Sequence, residues 1–168
     1  MKILIVRHAI AEERNPYSLP KRSDSERALT PQGRVKMERA AHGLYRLVHH
    51  IDIIAHSPLV RAKQTADILN VCYPKANLME IEQLEPGTNA EDVGDWLDLV
   101  TRGDVVALVG HEPDLSYLLG WLTTGREESF IRLKKGSAVL LECNVKLGPG
   151  AADIQWMLTP KQLRTLAV

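Results

Sequence analysis

Basic side chains follow apolar runs at three separate points of the chain. Arg7 and His8 come directly after "KILIV", His111 follows "DVVALVG", and Arg61 lies shortly beyond "IDIIAH". Arginine binds oxyanions through two parallel N–H groups, and histidine adds a further donor or acts as a nucleophile. These four residues therefore predict a small cationic pocket for a phosphate or a carboxylate.

Two other interpretations compete with an anion site. A single basic residue at a strand end is often a solvated surface residue. Four such residues at or just after strand ends are less easily explained in this way. A metal site is the other common use of histidine, but the sequence has no HxH, no HExxH and no Cys/His cluster at ligand spacing. Neighbouring arginines would also repel a cation, so we predict neither a metal nor a cofactor.

Strands that alternate with helices provide the framework for these residues. The predicted strands are residues 2–6, 51–56, 76–81, 104–110, 137–143 and 153–158, the last two joined as a hairpin. The predicted helix starts are Thr30 with Pro31, Ser57 with Pro58, Asn89 and Pro113. This order predicts an α/β protein, a three-layer α/β/α sandwich with a mostly parallel mixed sheet. Ligands of such sheets bind outside the carboxyl ends of the strands, where the basic residues lie.

Length and charge limit the possible partners. The chain has 168 residues, which predicts one domain over 1–168, and its 21 Lys+Arg balance 21 Asp+Glu. A neutral chain gives no support to broad binding of nucleic acid or of an anionic membrane. The first apolar run, "ILIV", is too short for a signal peptide or a membrane span, so we expect a cytoplasmic protein. The polar residues 11–27 predict a long, functional loop.

Four short motifs together resemble the histidine phosphatase superfamily. They are "VRHA" at the first strand end, "RALTPQG" from residue 27, "HSPLVRAKQTADIL" from residue 56, and "LVGHEPDL" from residue 108. Only about 45 residues separate Ala66 from His111, which leaves no room for a large cap. The compact chain is most similar to the SixA-type phosphohistidine phosphatases of that superfamily.

The resemblance implies a role for each of the four residues. His8 would be the nucleophile that forms a phosphohistidine intermediate, with its second ring nitrogen donating to a backbone carbonyl. Arg7, Arg61 and a protonated His111 would hold the phosphate oxygens. The substrate would be phosphohistidine on a protein, such as a histidine phosphotransfer domain of a signalling pathway. The alternatives are a phosphatase of small phosphorylated metabolites and a phosphate-binding module without catalysis.

Further residues are weaker candidates for the same site. Arg27, Ser57 and Ser137 are candidate substrate-binding residues, and Glu82 or Glu85 is a candidate general acid. Glu85 is also included among the substrate-binding candidates. Ala9 departs from the family pattern, which has glycine there, and an alanine is tolerated if its φ angle is negative.

Overall fold

One mixed sheet of six strands forms the centre of the molecule. The structure, a computed structural model, describes residues 1–14, 23–100, 105–143 and 146–167. Within them the strands are β1 (Lys2–Arg7), β2 (Ile53–His56), β3 (Asn77–Glu80), β4 (Val105–Gly110), β5 (Ala138–Cys143) and β6 (Ala152–Leu158). Their spatial order is β3-β2-β4-β1-β5-β6. The first four strands, β1, β2, β3 and β4, all run parallel to one another, whereas β5 is antiparallel to both β1 and β6. This confirms the predicted mixed sheet and the predicted late hairpin.

Helices cover both faces of this sheet. The described helices are α1 (Pro31–Tyr45), α2 (Val60–Cys72), α3 (Ala90–Val100), α4 (Asp114–Thr124) and α5 (Pro160–Leu166). α1, α2 and α5 contribute to one hydrophobic core, and α3 and α4 contribute to the other. Alternate residues of β1 point into opposite cores, since Leu4 lies in the first and Ile5 in the second. A strand buried on both faces must be apolar at every position, and the predicted three-layer fold is confirmed.

Helix capping explains where some of the helices begin. The Thr30 side chain accepts a hydrogen bond from the Gly33 N–H at 2.9 Å, and the Asn89 side chain accepts one from the Asp92 N–H at 2.8 Å. Both predicted starts are therefore confirmed. α4 begins one residue after Pro113, which is its N-cap.

The predicted start of α2 at Ser57 is wrong. The helix begins at Val60 with Leu59 as its N-cap, and the Ser57 hydroxyl accepts a hydrogen bond from the Leu59 N–H at 3.3 Å. Ser57 thus closes the turn that precedes the helix instead of capping it. Its side chain is fully buried, so it lies inside the molecule at the end of β2.

α5 was not predicted from the sequence, although a signal for it is present. Thr159 and Gln162 form a capping box around the first turn, and Pro160 is the first helical residue. The helix is short and contributes only Leu163 to the buried residues, so hydrophobic periodicity gives little indication of it.

The predicted polar loop of residues 11–27 is partly described. Residues 15–22 lie outside the described part of the chain. Residues on either side are ordered by a bridge between Ala11 and Leu29 and by a short 3₁₀ helix, Asp24–Glu26. None of the helices in the described part of the chain has the length and apolar character that a bilayer crossing requires.

The carboxyl ends of β1 and β4 form a crevice. The helix after β1 packs on one face of the sheet, and the helix after β4 packs on the other. Such a divergence between neighbouring parallel strands is the point at which open α/β sheets bind ligands. β5 begins and β6 ends at this same edge, because β6 runs parallel to β1. This edge is called the ligand edge below.

Candidate active site

His8 and His111 meet at the crevice between β1 and β4. The strands stay in register to their ends, where Arg7 pairs with Gly110 and the His8 N–H donates to the Gly110 carbonyl at 3.0 Å. The two imidazole rings consequently lie with centroids 5.1 Å apart. Both side chains are buried, with exposed fractions of 5% and 3%.

The His8 ring is fixed in one tautomer. Its Nδ1 lies 2.7 Å from the carbonyl oxygen of Ala9, and a carbonyl only accepts hydrogen bonds. Nδ1 therefore carries the proton and Nε2 carries the lone pair, which confirms the predicted donation to a backbone carbonyl. Burial, and to a smaller extent Arg61 and Arg7, lower the pKa of His8 to about 3. The imidazole is neutral and nucleophilic at neutral pH.

Arg7 is held by the chain segment before β5. Its Nη1 donates to the Leu133 carbonyl at 2.6 Å, while its buried Nε has no hydrogen-bond partner in the described part of the chain. Glu112 supports this arrangement because its carboxylate accepts the Leu133 N–H at 3.2 Å and the Ser116 hydroxyl at 2.7 and 2.8 Å. Glu112 thus fixes Leu133, and the Leu133 carbonyl in turn fixes Arg7.

Arg61 is paired with Asp24 from the polar loop. Nη1 donates to the Asp24 carbonyl at 2.7 Å and Nη2 to its carboxylate at 3.0 Å, leaving Nε buried and without a partner among the described residues. Arg14 and Arg27 donate to the same carboxylate at 2.7 and 2.8 Å. These arginines hold the pKa of Asp24 well below its usual range, so Asp24 is ionised and has no proton to donate.

His111 is held by Ser57. Its Nε2 lies 2.9 Å from the Ser57 hydroxyl, and its buried Nδ1 has no partner within the described residues. Burial is the largest cause that lowers the pKa of His111 to about 3, followed by His8 and Arg61. The protonated His111 that the sequence predicts is therefore not favoured by the protein's own groups. A nearby dianion is needed to raise that pKa.

Ala9 takes its place without strain. No residue other than glycine has a positive φ angle in the described part of the chain, so alanine fits where the family pattern has glycine. The Ala9 N–H donates to the Thr65 hydroxyl at 3.0 Å, and that hydroxyl donates to the Arg61 carbonyl at 2.7 Å. Thr65 thereby joins the segment after His8 to the helix that carries Arg61.

Two of the weaker candidates contact the four central residues directly. Ser57 touches His111, and Ser137 accepts the Arg7 N–H through its carbonyl oxygen at 3.1 Å. Arg27 reaches the site through Asp24, the partner that it shares with Arg61.

Neither of the two acidic candidates is hydrogen-bonded to the central residues in the described part of the chain. Glu85 is half-buried and follows a 3₁₀ helix, Glu82–Leu84, and no hydrogen bond or ion pair joins its carboxylate to the four residues in the described structure. Glu82 is exposed and lines a separate surface groove with Asp92 and Asp95. Their roles as general acids stay predictions.

Sequence reasoning missed the residues that hold the others in place. Thr65 and Glu112 belong to recognised motifs, so the motifs were the available signal, but periodicity gives them no role. Asp24 carries no local signal at all, because its importance comes from three arginines that approach it from different parts of the chain.

The arrangement is suited to a tetrahedral oxyanion. Three buried nitrogens lack partners in the described residues, namely Arg7 Nε, Arg61 Nε and His111 Nδ1. Buried polar groups are normally hydrogen-bonded, so such a cluster indicates a ligand, and the two guanidinium Nε–H groups require acceptors from it. No group of three or more His, Cys, Asp or Glu side chains suited to a metal ion occurs in the ranges that the structure describes.

Comparison with known proteins identifies the class to which this site belongs. Residues 3–100 match the model of the histidine phosphatase superfamily, branch 1. The chain therefore belongs to the histidine phosphatase superfamily, which supports a hydrolase of the phosphatase class.

Particular relatives share nearly the whole chain. An uncharacterised protein of Picosynechococcus is 31% identical over 92% of this chain and 89% of its own. The phosphohistidine phosphatase SixA of Escherichia coli is 26% identical over 98% of this chain and 97% of its own. The solved structure of the protein histidine phosphatase SixA with tungstate has the same fold, with a TM-score of 0.82, 24% identity, and coverage of 97% of this chain and 99% of that one.

Proposed function

We propose that this protein hydrolyses phosphohistidine on a protein through a covalent phosphohistidine intermediate at His8. The observation that carries the proposal is a neutral, buried His8 with a lone pair on Nε2, together with two guanidinium donors, Arg7 Nε and Arg61 Nε, and one ring nitrogen, His111 Nδ1, that have no partner in the described residues. The similarity to the phosphohistidine phosphatase SixA over nearly all of both chains supports the choice of substrate.

The reaction has two displacements at phosphorus. In the first, the lone pair of His8 Nε2 forms a bond to phosphorus as the P–N bond to the substrate imidazole breaks. The substrate ring, protonated on its second nitrogen, takes the bonding pair and leaves as neutral imidazole, while the His8 ring keeps its Nδ1 proton and becomes the positively charged one. Arg7, Arg61 and His111 stabilise the charge that spreads over the phosphoryl oxygens. In the second, water attacks phosphorus, the bond to His8 breaks, and orthophosphate leaves with His8 restored.

The leaving group favours phosphohistidine over an ester. An alkoxide leaving group needs a proton from a general acid, whereas a phosphohistidine ring that already carries a proton on its second nitrogen leaves as neutral imidazole without one. The two carboxylates that the described hydrogen bonds tie to the site, those of Asp24 and Glu112, are engaged by other groups. Asp24 is ionised by its arginines, and Glu112 accepts hydrogen bonds from Ser116 and Leu133.

A comparison of substrates tests this proposal. We expect kcat/KM for a phosphohistidine peptide and for phosphoramidate to exceed that for alkyl phosphomonoesters by about 100-fold or more, the usual contribution of a general acid. Faster hydrolysis of monoesters, reduced by Glu85→Gln, would instead identify a metabolite phosphatase with Glu85 as its acid. Orthophosphate binding without any turnover would identify a binding module.

A further inference from the structure

A groove lies beside the candidate active site, on the sheet face that α1 and α5 cover. Its volume is about 150 Å³, and Met37, Ala40 and Pro160 supply apolar surface to it. Both α1 and α5 start at the ligand edge, because α1 follows the segment after β1 and α5 follows β6. The groove therefore opens at the same edge of the sheet as the crevice that holds His8.

The groove and the active site share a wall. Ala9, which follows His8, and Gly136 both line the groove. The Gly136 N–H donates to the carbonyl oxygens of Arg7 and His8 at 3.0 and 3.1 Å. A group bound in the groove would thus lie next to the backbone that carries the nucleophile.

Every charged residue that lines the groove is a cation. These residues are Lys36, Lys135 and Arg164, and within the described chain no carboxylate forms an ion pair with any of them. Glu13 acts on Lys135 only at longer range. Burial and the positive charges of Arg7 and Arg27 lower the pKa of Lys135, so groove and active site share one positive field. We call this feature the cationic groove.

We propose that the cationic groove binds an acidic side chain, Asp or Glu, that neighbours the phosphohistidine in a protein substrate. This inference rests on the proposed function and adds a specificity subsite to it. A volume of about 150 Å³ admits a side chain but not a folded element such as a helix, which is about 10 Å across. The carboxylate would pair with Lys36 and Arg164, and its methylene stem would pack on Met37 and Pro160.

Two synthetic peptides test the proposal. Each carries one phosphohistidine, flanked by glutamate in one peptide and by glutamine in the other. We expect the protein to favour the glutamate peptide by about five-fold to ten-fold in kcat/KM at low salt, as charge complementarity in a partly exposed site allows. The preference should shrink as the salt concentration rises, because salt screens exposed charges.

Charge reversals at two positions of α1 give a matched pair of variants. Lys36→Glu should abolish the preference or reverse it, whereas Arg39→Glu, exposed on the same helix and outside the groove, should keep it. Arg164→Gln should weaken the preference without introducing a new charge. Phosphoramidate has no flanking residue. Its kcat should change less than about two-fold in all three variants, since a remote charge acts mainly on association.

The outcomes separate this inference from the proposed function. Equal turnover of both peptides, or the same loss of preference in Arg39→Glu, would overturn the subsite while leaving phosphohistidine hydrolysis in place. Hydrolysis of monoesters but of neither peptide would overturn both. A third outcome is equal kcat/KM for both peptides together with inhibition by benzoate that Lys36→Glu relieves. It would show a site for free small anions instead, and would also overturn the proposal.

Discussion

His8 and His111 differ in what holds their rings, and this difference separates their roles. A carbonyl oxygen holds His8 Nδ1, which fixes the tautomer and leaves a lone pair on Nε2. A hydroxyl holds His111 Nε2, and a hydroxyl either donates or accepts. His8 is therefore fixed as a nucleophile, while His111 is free to gain a proton when phosphate arrives.

Arg61→Ala is expected to weaken phosphate binding while retaining some activity. The change removes a buried guanidinium whose Nε lacks a partner among the described residues. Loss of a charge-assisted hydrogen bond costs about 1.5–3 kcal/mol, so the inhibition constant of orthophosphate should rise about 10-fold to 100-fold. Competition assays against a phosphoramidate substrate measure this constant.

Arg14→Ala is the matched control for that variant. Arg14 donates to the same Asp24 carboxylate, but its side chain is 75% exposed. An exposed ion pair contributes little, so the inhibition constant should stay within about two-fold of the original. Equal effects of the two substitutions would contradict a phosphate-binding role for Arg61.

The residues of the site differ in whether the sequence alone predicts them. Arg7, His8, Arg61 and His111 were predicted because each follows an apolar strand and bears a reactive group. Asp24 was not, because its role depends on arginines that come together only in the folded chain.

The start of α1 positions the segment after His8. The Thr30 N–H donates to the Ile10 carbonyl at 3.0 Å, and a Cβ on Gly33 would lie only 2.1 Å from that carbonyl oxygen. Glycine is required at this position because the helix start lies directly against the backbone of the segment.

Gly33→Ala is expected to destabilise the protein and to reduce its activity. Alanine improves helix propensity by about 1 kcal/mol, but a backbone overlap of this size outweighs that gain, and overpacking typically costs about 1–3 kcal/mol. Urea denaturation measures the loss of stability, and kcat measures the displacement of His8. Gly148→Ala is the control, because nothing lies within 4 Å of the added Cβ. A Gly33→Ala variant as stable and active as Gly148→Ala would refute this role for the helix start.

The elements were predictable to different degrees. The apolar runs of β1 and β4 could be read from their sequences, as could α1 with its Thr30 cap. α2 was placed too early, because Ser57 is directed towards His111 and a turn separates it from the helix. α5 was missed because it buries a single residue, Leu163.

At the scale of the whole molecule, a neutral protein concentrates positive charge at one edge of its sheet. The chain has no net charge, yet Arg7, Arg61 and Lys135 all act on His8. Composition therefore excluded a broad electrostatic surface but gave no sign of this local field. Strand order and the faces taken by the helices create that concentration, and neither follows from the number of charges.

The buried histidine pair is expected to make stability depend on pH. The folded state holds His8 and His111 neutral down to about pH 3, whereas their ordinary pKa is 6.5. The unfolded chain thus binds more protons between these values, so the free energy of unfolding falls as pH decreases below 6.5. The slope is up to about 1.4 kcal/mol per pH unit for each histidine.

Urea denaturation at several pH values between 7 and 4 measures this dependence. The double variant His8→Asn and His111→Asn should flatten it, whereas His49→Asn, an exposed histidine, should not. An unchanged slope in the double variant would show that the pair does not control acid stability.

The phosphoenzyme is the most direct test of the account. Rapid quenching during turnover of a ³²P-labelled phosphohistidine peptide should trap label on the protein, stable to alkali and lost in acid. His8→Ala should carry no label while keeping the folded circular dichroism spectrum, and His49→Ala should be labelled like the original protein. Label on the His8→Ala variant, or turnover by the original protein with no trapped label, would contradict His8 as the nucleophile.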